Sequence, residues 1–590
     1  MDPSPSAATS ARADVATTDA DWWRHAVIYQ IYIRSFADGN GDGMGDIAGI
    51  RSKIDYLSDL GIDAVWINPW YPSPQADAGY DVADYRAIEP MFGDLDQAQA
   101  LIDELHAAGI RVILDIVPNH TSDQHAWFQK AAADAGAPER DYYVFRSPRP
   151  DGSRPNNWHA MFGGPAWHRV PGEDGNSEAD YYLHLFAPEQ PDLNWENQVV
   201  RDDFETTLRF WFDRGVDGFR IDVAHALIKD QSFPDLPPGS GRFAGEPEEE
   251  ESPLDASHQA EEAESSHDDA RAAAVDAMSG HPFWDQDGVH DVYRSWRNVA
   301  DSYADTPEGK RIYVSEAWVP DPQRLANYVR PDELNTTFNF DFLMCPWDAA
   351  HFKRTIDEQI AIHALVGAPV TWVVSNHDVT RHLTRYGRPA GTSPFDQSAP
   401  VDLDLGRARA RTMALFMFAL PGGSYVYMGE ELGLWEVEDL PEHVLQDPTW
   451  ERSGQKQRGR DGCRVPLPWS GTSAPFGFGT DPAAPWLPQP PEFAEFTAEK
   501  ELGDPASMLS LYREALRIRR ERSELGDGPL GWTDATEGDV IAFARSDEFT
   551  CVVNTGATPV ALPAHREVLL ASADVSAGSL PPNSSAWLLT

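Results

Sequence analysis

Apolar, β-branched runs recur along the chain, separated by stretches whose apolar residues fall at helical spacing. Residues 26–36 read as a strand, and 47–60 as a helix with Ile50, Ile54 and Leu57 on one face. A strand over 64–70, a helix over 98–107 and a strand over 111–117 follow. This βαβαβ order implies parallel pairing through right-handed crossovers. From Thr121 to about Asn197 the rhythm breaks into loop-like sequence rich in Trp, Pro, Gly and Tyr, which predicts a small irregular domain inserted after the third strand. It resumes with a helix over 201–212 and strands near 218–223, 312–316, 336–340, 369–375 and 424–428. Eight strands with intervening helices predict an α/β chain built on a (β/α)8 barrel. A helix over 508–521 leads into short β patterns from about Gly531 to Thr590.

The expected organisation is a leader over 1–20, the first part of the barrel over 21–120 and an inserted subdomain over 121–200. The second part of the barrel spans 201–522, and an all-β C-terminal sandwich covers 523–590. The leader is rich in Ser, Ala, Pro and Asp, and reads as disordered. Residues 234–280 form a Pro/Ser/Glu/Ala-rich insertion containing Glu248, Glu249, Glu250 and Glu251, read as solvated and mobile.

The 590 residues include 95 acidic and 47 basic side chains, a net charge of -48. That charge argues against nucleic acid and anionic membranes as partners. No apolar run approaches the ~18 residues of a membrane span. The cysteines, Cys345, Cys463 and Cys551, are odd in number and lack CxxC spacing. They support no disulfide framework or thiolate zinc site, and fit a reducing cytoplasm.

The chemistry gathers at strand ends. Asp115 to His120, Gly218 to Asp222, Ser315 to Trp318 and Ser375 to Asp378 each place acids or histidines where a buried-strand pattern gives way to a loop. Groups from different strands converge on the C-terminal face of such a barrel. Glycosidic bond cleavage needs two carboxyl groups at the anomeric carbon, ~5–5.5 Å apart when configuration is retained. Asp222 follows Arg220 by two residues, so both side chains face one way, and Arg220 is expected to keep Asp222 ionised. Glu316 comes from the next strand. Asp378, His377 and His120 add hydrogen bonds around a sugar ring.

These segments, together with Tyr29-Gln30-Ile31-Tyr32 and Gln190-Pro191-Asp192-Leu193-Asn194-Trp195, resemble the α-amylase family of glycoside hydrolases in its oligo-1,6-glucosidase and α-glucosidase branch. The resemblance runs from Trp22 onward. It implies the same barrel, inserted domain and C-terminal β-sandwich. It implies Asp222 as nucleophile, Glu316 as general acid/base and Asp378 as transition-state stabiliser, with Arg220, His120 and His377 as partners. It further implies Tyr80 as the platform under a terminal glucose, Asp77 and Arg464 as the pair closing the pocket behind it, and Gln190 as a pocket residue. A Val after the nucleophile, here Val223, accompanies α-1,6 cleavage in this branch, whereas Ala or Thr accompanies α-1,4. Two features depart from the pattern: the long acidic insertion after Asp222, and Cys463 where the family carries a small residue.

Asp38-Gly39-Asn40-Gly41-Asp42-Gly43-Met44-Gly45-Asp46 alternates oxygen donors with glycines, which suits Ca²⁺ or Mg²⁺. It is not an EF-hand, because Gly49 stands where the bidentate Glu would be. The resemblance implies a structural metal held by Asp38, Asn40, Asp42, the Met44 carbonyl and Asp46.

The expected activity is a retaining exo-α-glucosidase on short α-1,4 and α-1,6 glucosides, with transfer at high sugar and a monomeric or small homo-oligomeric state. A dedicated glucosyltransferase or a sucrose/maltose isomerase could use the same site. The Arg-Leu-Asp-Arg-Asp run associated with sucrose isomerases is absent from the sequence. A transport-associated subunit is the third reading, and the presence of all three carboxylates argues against it.

Overall fold

The computed structural model describes residues 21–170, 179–237, 280–392, 399–479 and 485–590. The expected leader and most of the acidic insertion lie outside them. Eight parallel strands form one sheet: β1 Val27–Ile31, β2 Ala64–Ile67, β3 Arg111–Ile116, β4 Gly218–Ile221, β5 Ile312–Ser315, β6 Thr336–Thr337, β7 Thr371–Trp372 and β8 Gly423–Tyr427. Their order is β7-β8-β1-β2-β3-β4-β5-β6. The Thr371 hydroxyl donates to the Thr337 carbonyl, so a side chain joins the two outermost strands and brings the sheet round on itself.

The longer strands are buried on both faces, as strands sheathed by helices must be. Inside the barrel, Ile28, Trp66, Ile113, Val314, Phe338, Val373 and Tyr425 pack together. Gly218 begins β4 because a Cβ there would lie 2.6 Å from the Ile312 side chain on β5.

Local chemistry moves several predicted boundaries. The first strand stops at Ile31 and turns into a short helix, Ile33–Phe36. The helix expected over 47–60 divides into Ile47–Arg51 and Ile54–Leu60. Ser52 turns its hydroxyl back onto the Gly49 carbonyl at the break, competing with helix continuation. Helix Leu95–Ala107 starts earlier than its apolar pattern, because Asp94 and Gln97 form a capping box. Asn197 likewise caps Gln198–Phe212.

The inserted region after β3 holds helix Ala126–Ala133 and a three-stranded antiparallel sheet of Phe145–Arg146, Tyr181–Leu183 and Trp167–Arg169. The C-terminal region holds a five-stranded antiparallel sheet and a two-stranded one. Trp587 fixes the larger sheet to helix Leu403–Ala419, donating its indole N–H to the Leu415 carbonyl at 2.9 Å.

Candidate active site

The register of the parallel strands builds the site. Asp115 on β3 lies opposite Arg220 on β4. The Arg220 guanidinium, 2% exposed, sits over the Trp66 ring at 5.1 Å and faces three carboxylates. One terminal nitrogen reaches Asp115 at 2.9 Å and Asp222 at 2.7 Å, and the other reaches Glu316 at 2.6 Å. Asp115 also accepts from the Tyr80 hydroxyl at 2.9 Å and the Trp66 indole at 3.1 Å. Glu316 accepts from the Val223 N–H and the Trp318 indole, both at 3.0 Å.

Three carboxylates against one guanidinium leave the cluster with excess negative charge. Burial pushes Asp115 up to about 6 against the pull of Arg220. Burial also raises Asp222 well above its ordinary value; Arg220 opposes this, while Glu316, Asp115 and Asp378 add to it. The expectation that Arg220 keeps Asp222 ionised therefore omits half of the electrostatics: the same guanidinium serves two further carboxylates.

Asp378 is treated in the opposite way. Against its burial, His377, Arg460 and Arg464 hold its carboxyl well below the usual range. Arg460 lies at 2.9 Å, Arg464 at 3.1 Å and His377 at 3.2 Å. Burial pushes the His377 imidazole well below its ordinary value. That ring stacks on Tyr80 with centroids 5.3 Å apart, and meets the Gln30 amide at 2.8 Å. Burial lowers His120 to about 4; it contacts the Gln190 amide and the Tyr80 carbonyl, each at 3.1 Å. Gln190 donates to Asp77 at 3.2 Å.

Two expectations need correction. The ion-pair partner of Asp77 is Arg460, at 2.7 Å, and not Arg464. Arg460 also bridges to Asp378 and to Asp447, which its two arginine neighbours hold down to about 2 despite burial. Arg464, four residues on, instead holds Asp378 and donates to the His377 carbonyl at 2.9 Å. The strand expected near 218–223, with Val223 at its end, is the second correction. β4 ends at Ile221, and Val223 has φ 46°, the left-handed region that a β-branched residue rarely adopts. Strand alternation does not govern its side chain, which packs among Trp158, Phe233, Phe283 and Trp284.

Sequence places Asp115 at a polar strand end without giving it a role, and does not mark Arg460, Phe162 or Phe186. Phe186 packs on His120 at 5.2 Å, and Phe162 lies under the Arg460 guanidinium at 5.3 Å. Asp115 could have been found by aligning strand ends, since it falls directly opposite Arg220.

The Asp38–Asp46 loop fits a cation in part. Asp38 accepts from the N–H groups of Asn40, Gly41 and Gly43, and Asp46 from those of Gly39 and Gly49. Asp38 Oδ1 and Asp46 Oδ1 each accept two of these N–H groups, so the acceptor capacity left for a cation lies on the Oδ2 atoms. Asn40 turns its amide N–H toward Asp42 at 3.1 Å. Among the described residues, no group of three or more His, Cys, Asp or Glu side chains is arranged to hold a metal ion.

A parallel barrel that gathers paired carboxylates, a guanidinium and an aromatic floor at the C-terminal ends of its strands defines a sugar-cleaving enzyme. Residues 30–528 match the family described as Alpha amylase, catalytic domain. The chain is 33% identical over 563 residues to an oligo-1,6-glucosidase of Heyndrickxia coagulans, covering 90% of each chain. It superposes on an alpha-glucosyl transfer enzyme, XgtA, with a TM-score of 0.79 and 34% identity, covering 96% of this chain and 99% of that one. The trehalulose synthase MutB from Pseudomonas mesoacidophila MX-45 matches with a TM-score of 0.79 and 31% identity, over 97% of this chain and 100% of that one. The chain belongs to the α-amylase family, and it is a glycoside hydrolase of that family. Among the described residues, no helix is long and apolar enough to cross a membrane.

Proposed function

We propose that the chain is a retaining, exo-acting α-glucosidase that releases terminal α-glucose from short α-1,4 and α-1,6 glucosides and transfers glucose to sugar hydroxyls at high sugar. The observation that carries this reading is the sharing of one guanidinium by Asp222 and Glu316, at 2.7 and 2.6 Å. Carboxylates gripped by opposite nitrogens of one planar group favour the short ~5–5.5 Å separation of retaining enzymes over the ~6.5–9.5 Å of inverting ones.

Asp222 attacks the anomeric carbon while Glu316 gives its proton to the departing glycosidic oxygen. Glu316 then takes a proton from water, whose oxygen displaces Asp222. Two inversions return the α configuration. Asp378, anionic beside two arginines, stabilises the positive charge that builds on the ring. Tyr80 lies under the sugar, with Gln190, His120 and His377 around it. The Asp77–Arg460 pair closes the far end, leaving room for one terminal residue and so for exo action.

The transfer enzyme and the synthase among the similar structures favour a second reading, in which a sugar hydroxyl intercepts the glycosyl-enzyme in place of water. NMR of products from maltose, isomaltose and sucrose decides between them. Early α-glucose at low sugar supports hydrolysis with retention, early β-glucose sinks it, and sucrose isomers at every concentration favour the second reading. For linkage, Val223→Thr, acting through the apolar cluster in which the side chain packs, should move the kcat/KM ratio of isomaltose to maltose toward maltose by roughly 10-fold. The free, buried cysteines Cys345, Cys463 and Cys551 support a reducing cytoplasm. A structural Ca²⁺, or Mg²⁺ in its place, belongs to this reading. It is supported by the alternation of oxygen donors and glycines over Asp38–Asp46.

A further inference from the structure

Arg460 immediately precedes a single short turn, Asp461–Arg464, and Arg464 is its last residue. Between them, Arg460 reaches Asp77, Asp378 and Asp447, and Arg464 reaches Asp378. Two guanidiniums at fixed points on so short a turn need the turn itself to be fixed. The Cys463 carbonyl, between the two arginines, accepts from the Arg381 guanidinium at 2.8 Å and from the Tyr427 hydroxyl at 3.0 Å. Arg381 is 2% exposed; its guanidinium sits over the Tyr427 ring at 4.6 Å and also donates to the Met428 carbonyl at 2.9 Å. Its own N–H donates to Glu436 at 3.1 Å. Arg381 thus ties together the loop that carries Asp378, the end of β8 and the arginine turn.

We infer that Arg381 and Tyr427 are positioning residues: by holding the Cys463 carbonyl they aim Arg460 at Asp77 and so set how tightly the closed end of the pocket grips a terminal sugar. Neither touches the site carboxylates through its side chain. The Tyr427 hydroxyl spends its proton on a carbonyl, and the Arg381 guanidinium, a donor without an acceptor, is spent on carbonyls in the same way. The inference rests on the α-glucosidase reading for its substrate and on the arginine turn alone for its geometry.

Tyr427→Phe is the sharpest test, because it keeps the ring under Arg381 and leaves the Cys463 carbonyl one donor. It should raise KM for p-nitrophenyl α-glucoside, and Kd for the glucose-shaped amine 1-deoxynojirimycin by the same factor. That factor is roughly 2- to 10-fold, the span of one neutral hydrogen bond. Its kcat should stay within about twofold, the split expected when uniform binding is lost. Arg381→Lys should recover most of the affinity that Arg381→Met loses. In an Asp77→Ala background, Tyr427→Phe should cost clearly less, since Arg460 has lost the partner at the closed end of the pocket and keeps only Asp378 and Asp447. Equal cost in both backgrounds, or a lower Tm with KM and Kd unchanged, overturns the inference. A crystal structure of Tyr427→Phe with Arg460 still seated on Asp77 and Asp378 overturns it whatever the substrate proves to be. A wild-type enzyme that neither hydrolyses the glucoside nor binds the amine refutes the α-glucosidase reading instead, and leaves that crystal structure to decide the geometry.

Discussion

Strand β4 has a buried charge cluster at each end. Just before it, Asp217 accepts from His106 at 2.7 Å, from Arg111 at 2.9 Å and from the Val112 N–H at 2.8 Å. At its other end Arg220 faces Asp115, Asp222 and Glu316. Against its burial, His106 and Arg111 hold Asp217 below the ordinary carboxylate value, and Asp217 in turn raises His106. The first cluster matches one acid with two bases and is complete without a ligand. The second sets three carboxylates against one guanidinium and stays short of positive charge, a deficit that a cationic sugar would reduce. Burial of charge serves stability at one end and chemistry at the other.

Substitutions at the two ends should therefore fail in opposite ways. Asp222→Ala should lower turnover by roughly 10³-fold or more while leaving Tm unchanged or higher, because it removes a like charge from the cluster. Glu316→Gln should be nearly as severe, yet spare substrates with good leaving groups. Loss of Tm without loss of turnover in Asp222→Ala would collapse the contrast. Asp217→Ala should do the reverse. Chemical denaturation should find it less stable by about 3–5 kcal/mol, the cost of breaking a buried pair, with kcat/KM of the surviving fold near wild type.

Acid titration sharpens the same comparison. Asp115, at about 6 in the fold, lies above its unfolded value of ~4. Its contribution to stability is present below pH ~4 and is lost as pH rises through about 6. Asp217 is depressed, so its contribution is present above pH ~4 and is lost as pH falls through its lower folded value. Asp115→Asn should flatten the stability profile over the first window and Asp217→Asn over the second, as read from unfolding midpoints against pH. Identical profiles would mean that the two ends do not differ electrostatically.

Asp77→Ala lies between the extremes. It leaves Arg460 short of one carboxylate, and kcat/KM on maltose should fall by about 2–4 kcal/mol of transition-state binding. Rapid loss of amylose chain length before glucose appears, with the wild-type enzyme, would show that the Asp77–Arg460 pair does not close the pocket. The smallest effect belongs to the Asp38–Asp46 loop. Removing a bound divalent ion should lower Tm by a few degrees through binding linkage and leave low-temperature activity intact. A Tm indifferent to chelator would reduce the loop to a turn held by its own amides.

Much of this was legible in sequence because it is periodic or local. The β-branched runs place all eight barrel strands, and Asp222, Glu316 and Asp378 stand at their polar ends. What could not be read depends on distant chain meeting distant chain. Arg460 and Arg464 are chemically identical and four residues apart, so only the seating of their turn on Arg381 and Tyr427 decides which one reaches Asp77. The left-handed Val223 is similarly hidden, since its conformation goes with an amide pointed at Glu316 from another strand. The two-residue strands β6 and β7 fall at the predicted places but are far shorter than their apolar runs.

That brevity has a kinetic consequence. β6 and β7 meet through a threonine hydroxyl on a carbonyl, so the barrel wall has a weak point between the strand following Glu316 and the strand preceding Asp378. Amide exchange should therefore run faster at Thr336–Thr337 and Thr371–Trp372 than in β3 or β8, which hydrogen-exchange mass spectrometry can read. Uniform protection around the barrel would rule the weak point out. Opening at that point would separate Glu316 from Asp378, so turnover is expected to decline at a lower temperature than the one at which the fold is lost.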